Sequence, residues 1–150
     1  MITSCSTKNR KDVLEYFEEH FNVGKEIFSG YELYEDNKGR IFLGQQNIPK
    51  DLRIISPGLQ IATIDKTVKP STTLLQIIGK KITKNTLHLT REKAIHFIKG
   101  EDIEIKNETV QGYVLLKYKE HPLGCGHYKN GIIKNMLPKG RKINIKFIEE

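Results

Sequence analysis

Three residues in the last fifth of the chain carry groups able to hold a metal or to act as nucleophile and base. His121, Cys125 and His127 form the pattern H-x-x-x-C-x-H. A zinc site takes four protein ligands, or three with an open position for water. No further Cys or His cluster lies nearby, and the other cysteine, Cys5, is far away in sequence. A Cys–His nucleophile pair is the second chemistry these residues offer. Gly124 and Gly126 on either side of Cys125 point instead to a tight backbone turn around a small buried thiol. Gly124-Cys125-Gly126 also lacks the third glycine and the following helix of a phosphate-binding loop. Glu15, Glu18 and Glu19 could pair for acid–base work, yet they sit on one amphipathic segment and read as its solvated face. These patterns predict no catalytic residue, no metal site and no cofactor.

The basic residues form a more telling group. Lys129, Lys134, Lys139, Arg141, Lys142 and Lys146 fall within 18 residues, with no Asp or Glu among them. Such a surface neutralises phosphates and releases their counterions. His127 and Tyr128 would add stacking on an unpaired base. A Lys-rich solvated face accounts for the same charges, and charge alone does not choose between the two. Over the whole chain the net charge of +7 divides into −2 for residues 1–40, +4 for 41–116 and +5 for 117–150. Twenty of the 25 basic residues are Lys and Ile also occurs 20 times, a bias that an AT-rich genome or a hot habitat produces unaided.

These side chains need elements to position them. A chain of 150 residues that is 37% hydrophobic suits one ordinary domain or two small ones. No apolar run approaches the ~18 residues of a membrane span. Lys8, Arg10 and Lys11 interrupt any secretory apolar region, and two cysteines cannot build a disulfide framework. The expectation is a soluble, cytoplasmic protein without a membrane partner.

Residues 1–9 read as a flexible N-terminus. Val13, Leu14, Phe17 and Phe21 fall at helical spacing over Arg10 to Phe21, and Gly24 is the expected stop. Tyr31 to Tyr34 and Ile41 to Leu43 flank Asp36-Asn37-Lys38-Gly39 as a hairpin. A third strand runs through Leu52 to Ile55, breaks at Pro57-Gly58 and resumes over Leu59 to Ile64. Pro70 opens a short helix, Thr73 to Ile78, ended by Gly79. The polar stretch Lys80 to Asn85 is the expected seam. Beyond it the pattern predicts a strand at Leu87 to Leu89 and a helix from Arg91 to Ile98 capped by Thr90, with Gly100 at its C-terminal end. Strands follow at Ile103 to Ile105, Gly112 to Tyr118, Gly124 to Tyr128, Ile132 to Lys134 and Ile143 to Phe147. Short strands at this spacing suggest a small, partly open β-barrel.

The run Gly112-Tyr-Val-Leu-Leu, then Pro122-Leu-Gly-Cys-Gly-His-Tyr, Asn130-Gly-Ile-Ile-Lys-Asn135 and Pro138-Lys-Gly-Arg141 resembles one family. It is similar to the C-terminal PUA-like RNA-binding module of the Fmu/Sun-type RNA cytosine-5 methyltransferases, the group that includes RsmF. The strand–helix–strand from Leu87 to Ile105 resembles the start of the same module. Gly30 to Tyr34 and Ser56 to Leu59 resemble the segment before it. Two features depart from the pattern: no Pro-Cys nucleophile dipeptide is present, and Cys125 replaces the aromatic residue between the two glycines. The resemblance therefore implies the RNA-binding appendage without the enzyme. A similar plan, a front domain followed by a PUA domain, occurs in a small archaeal and eukaryotic ribosome-assembly factor.

The expected architecture is α+β: a small N-terminal α/β domain over 10–79, then a C-terminal PUA-like pseudo-β-barrel over 84–148. The resemblance implies RNA contact through the first helix (Arg91, Lys93), the loop after it (Lys99, Gly100) and a neighbouring strand. With the basic residues, the candidate set becomes Arg91, Lys93, Lys99, Gly100, Tyr128, Lys129, Lys134, Asn135, Lys139, Arg141 and Lys142. The expected function is non-catalytic recognition of structured rRNA or tRNA, in ribosome biogenesis or RNA modification. A pre-ribosomal particle or an RNA methyltransferase is the expected protein partner. One rival is a detached specificity subunit that docks on a separately encoded RNA cytosine-5 methyltransferase; it could offer Phe17 and Phe21, although burial in the chain's own core is the expected use of both. The other is a small hydrolase or transferase using Cys125 with His121 or His127.

Overall fold

A computed structural model describes residues 2–46, 58–107 and 109–138, and the chain divides into two compact units, Met1–Leu74 and Leu75–Glu150. The first unit is an antiparallel meander of β1 (Thr3–Ser4), β2 (Tyr31–Glu35), β3 (Arg40–Gln45), β4 (Gly58–Ile64) and β5 (Val68–Pro70), neighbours in that order. Helix α1 (Thr7–Phe21) lies between β1 and β2 in sequence, and its Val13–Phe17–Phe21 stripe is fully buried.

Residues 1–9, expected to be loose, hold a strand, a cap and the first helical turn. Ser6 is the N-cap, its side chain accepting the Asn9 N–H at 3.2 Å. The Glu35 carboxylate accepts from the Ser6 N–H at 2.6 Å and from Asn9 Nδ2 at 2.7 Å, which ties the helix start to β2. Polar caps carry no apolar period, so hydrophobic spacing placed the helix start three residues late. The helix ends at Asn22, in the left-handed region at φ 57°, before Gly24 is reached. In the hairpin between β2 and β3, Asp36 Oδ1 accepts the N–H groups of Lys38 and Arg40 at 2.9 and 3.0 Å. The expected strand at Leu52 to Ile55 lies outside the described residues.

The division between units falls inside helix α2 (Thr72–Ile78), which a turn of 3-10 helix (Gly79–Lys81) follows. The seam expected at Lys80 to Asn85 is part of the second unit. Asn85 is buried, its carbonyl accepts the Leu115 N–H at 2.9 Å, and its Oδ1 accepts the Gln111 N–H at 3.1 Å. A polar residue thus closes backbone bonds in the interior, which composition alone reads as a linker.

The second unit contains β6 (Thr86–His88), α3 (Arg91–Ile98), β7 (Ile103–Glu104), β8 (Gly112–Tyr118), β9 (His121–Lys129) and β10 (Ile132–Asn135). Its sheet runs β6-β8-β9-β10-β7 and curls into a half-barrel. Strands β6 and β8 pair in parallel, and α3 lies within the long connection that such a pair requires. Thr90 caps α3 through the Lys93 N–H at 3.3 Å. Ala94 and Phe97 of α3 pack with Leu87, Ile103, Val114, Leu116 and Ile133 on the concave face of the sheet. The expected strand at Ile143 to Phe147 lies outside the described residues.

Strand β9 runs without a turn from His121 to Lys129, so the tight turn expected at Gly124-Cys125-Gly126 is absent. Packing explains Gly126: a Cβ there would run into Ile133 Cγ2 and sit 3.2 Å from Leu116 Cδ1. Among the described residues no helix is long and apolar enough to cross a membrane.

Candidate nucleic-acid interface

Alternation along β8, β9 and β10 sorts the candidate side chains onto two faces. Val114 opposes Gly126, and Ile133 opposes Tyr128, so Tyr128 stands on the concave, core-packing face. Its hydroxyl accepts the Asn107 N–H at 3.1 Å, and its ring packs against the core. Tyr128 therefore stands on the core-packing face and not on the face that carries Lys129 and Lys134, the lysines near it in sequence.

Asn135 is likewise engaged by its own chain. Its Nδ2 donates to the carbonyls of Phe97 at 2.6 Å and Glu101 at 3.0 Å. Its Oδ1 accepts the Leu137 N–H at 2.9 Å, and its own N–H donates to Asp102 Oδ1 at 2.8 Å. The Lys-Asn pair of the sequence motif thus divides its labour: Asn135 binds the end of α3 and the loop after it to β10, and Lys134 points the other way. In that loop Gly100 has φ +94°, and its N–H bonds to the Phe97 carbonyl at 2.9 Å. A Cβ at Gly100 would meet nothing within 4 Å, so conformation rather than crowding within the chain selects glycine there. His96 Nδ1 and Glu101 Oε2, 2.9 Å apart, bracket the same loop.

The basic candidates of the described residues fall into two groups. Arg91 and Lys99 stand exposed at the two ends of α3, while Lys93 Nζ donates to the Glu104 carbonyl at 3.3 Å. Lys129 and Lys134 are exposed on the convex face of the sheet. Among the described residues none of Arg91, Lys99, Lys129 and Lys134 forms an ion pair. The remaining basic candidates, Lys139, Arg141 and Lys142, lie outside the described residues.

Sequence reasoning missed Tyr113. It sits on β8 directly opposite His127, with ring centroids 4.7 Å apart and planes at 76°. His127 in turn opposes Lys134 on β10. Burial, with a smaller contribution from Cys125, pushes the Tyr113 phenol above its ordinary value, so the ring is neutral at physiological pH. Only the strand register reveals this row, because its members are 14 and 7 residues apart in sequence.

The catalytic alternatives find little geometry. Cys125 is 1% exposed, with its Sγ 3.7 Å from the Gly126 carbonyl oxygen. A thiol so enclosed lacks the partly exposed, electropositive surroundings of a reactive cysteine. His121 is exposed at the start of β9, and the His127 ring packs against Tyr113. Among the described residues no group of three His, Cys, Asp or Glu could hold a metal ion.

Comparison with known proteins bears on both parts of the chain. Residues 84–143 match the family model of the methyltransferase RsmF PUA domain. The second unit is a PUA-like module. Residues 4–58, ahead of it, match a different family, one of unknown function (DUF7122). The chain is similar to ribosomal RNA small subunit methyltransferase F of Psychromonas ingrahamii, 32% identical over 96 residues, or 60% of this chain and 20% of that protein. It is also similar to the Aeromonas salmonicida protein of the same name, 31% identical over 61 residues, or 41% of this chain and 13% of that one. The chain thus spans a fifth or less of the length of these relatives.

Proposed function

We propose that the chain is a non-catalytic RNA-binding protein that engages structured rRNA or tRNA through its PUA-like module. The observation that carries this reading is an RsmF-type module with Arg91, Lys99, Lys129 and Lys134 exposed and outside any ion pair among the described residues. Exposed cations of this kind neutralise phosphates and release their counterions, and Lys-dominated interfaces read shape more than sequence. The names of the two relatives make ribosomal RNA the first substrate to try. The work proposed is cytoplasmic, in ribosome biogenesis or RNA modification.

The test is binding of a fluorescein-labelled RNA hairpin with a single-stranded tail, measured across a salt series. Wild-type affinity should fall steeply with salt. Charge reversal at Lys134, Lys139 and Arg141 should weaken binding and reduce the slope of log K against log salt by roughly 2, at about 0.7 for each phosphate no longer neutralised. An unchanged slope would remove the basic strand from the interface.

A second reading, favoured by the name of the two relatives, takes the chain as a specificity subunit for a separately encoded RNA cytosine-5 methyltransferase. Docking through Phe17 and Phe21 does not fit, since both side chains are fully buried in the first unit. Co-purification of a catalytic subunit with the tagged chain distinguishes this reading from autonomous binding.

A further inference from the structure

The convex face of the PUA-like sheet is unevenly covered. At one end Leu115 and Cys125 are buried, and Gly79 of the 3-10 turn lies against the side chains of Leu115 and Pro122. At the other end Tyr113 and His127 are half-buried, Lys129 and Lys134 are exposed, and Ile132 keeps 47% of its surface in solvent. Tyr113, His127 and Lys134 occupy directly opposed positions on three adjacent strands. Strands lie about 4.8 Å apart, so the row spans about 10 Å, close to the footprint of a nucleobase and its phosphate.

We infer that this row is a binding site for an unpaired base of single-stranded RNA, with Tyr113 and His127 as the aromatic corner and Lys134 at the adjoining phosphate. The inference rests on the proposed RNA binding and adds to it a second surface, on the face of the sheet opposite α3. Two perpendicular rings let a planar base lie flat on one and meet the edge of the other, an arrangement favoured between aromatic groups. The neutral phenol of Tyr113 brings no charge against a phosphate. Charge selects RNA over a protein partner here: Lys129 and Lys134 are exposed on this face, and the stretch from His121 to Pro138 contains no acidic residue. Glu104, opposite Ile132 on the edge strand, is the acid of this register among the described residues. Stacking on a sheet face tolerates any base, so the site would supply affinity for an unpaired segment without choosing its sequence.

The experiment uses the full chain and two fluorescein-labelled probes, a 12-nucleotide oligouridine carrying one 5-bromouridine and an RNA duplex of equal length. Irradiation should crosslink the oligouridine to the peptide containing Tyr113 or His127. Tyr113→Leu should weaken oligouridine binding by roughly 5- to 150-fold, the measured range for one stacked base, while duplex binding stays as in wild type. Tyr113→Phe should retain oligouridine binding, since the ring and not the hydroxyl does the stacking. Wild-type crosslinks confined to other peptides, or Tyr113→Leu weakening both probes equally, would overturn the site while leaving RNA binding intact. Failure of the wild type to bind either probe would overturn the proposed function itself. The crosslink map needs no variant, so it decides the matter even if Tyr113→Leu does not fold.

Discussion

Asn135 spends its side chain on three backbone groups that lie in α3, in the loop after it and just past β10. Truncation would leave the Phe97 and Glu101 carbonyls without this donor. Asn135→Ala should destabilise the chain by about 1–3 kcal/mol, the usual cost of orphaning such groups, as read from urea unfolding. Amide exchange should rise first between Lys99 and Asp102. An unchanged midpoint with unchanged exchange would show that the clamp is incidental. Cys5 offers a second test among single residues. Its thiol is pushed up to about 11 by burial first and then by the nearby Glu35 carboxylate. Because the neutral form is favoured in the folded chain, the thiol holds its proton as pH rises past the ordinary value of 9.0. Alkylation by iodoacetamide at pH 8 should therefore run roughly a hundredfold slower than for an unhindered thiol, in proportion to thiolate content. Denaturant should restore the ordinary rate.

Among the elements, two glycines separate two causes. Gly126 is glycine because β9 passes close over Ile133 and Leu116, whereas Gly100 is glycine because its φ of +94° suits no side chain. Gly126→Ala should cost about 1–3 kcal/mol by overpacking. Gly100→Ala should cost about 1–2 kcal/mol through the left-handed backbone alone, with the core untouched. Thermal unfolding gives both costs, and near-ultraviolet circular dichroism of the aromatic residues should change with Gly126→Ala but not with Gly100→Ala. The same two residues show how far the sequence could be read. A glycine after a capped amphipathic helix announces a left-handed terminus, because helix period and cap are local signals. Gly124 and Gly126 suggested a turn, because the residue that Gly126 must pass, Ile133, becomes a neighbour only through strand pairing. Helix α3 and strand β8 were legible to the residue, since their apolar spacing and caps lie within a few positions. The short strands β1 and β5 were not, since two or three residues carry no periodicity. Register, too, is invisible in a single sequence. That is why Tyr128, beside the lysines, stood in for Tyr113, which is the aromatic residue that shares a face with them.

Across the whole molecule, two units with separate sheets carry unequal charge, −2 over residues 1–40 and +5 over 117–150. The excess lies in the PUA-like half, so RNA affinity should belong to that half and respond to salt, while the first unit contributes little attraction. RNA recognition by this half is open to a direct check in host cells. The tagged full chain is irradiated with ultraviolet light in vivo, and the attached RNA is sequenced. Discrete peaks on rRNA or tRNA are expected, abolished or strongly reduced on combined charge reversal at Arg91, Lys99 and Lys134. A diffuse background that the reversal leaves unchanged would refute RNA recognition by the module.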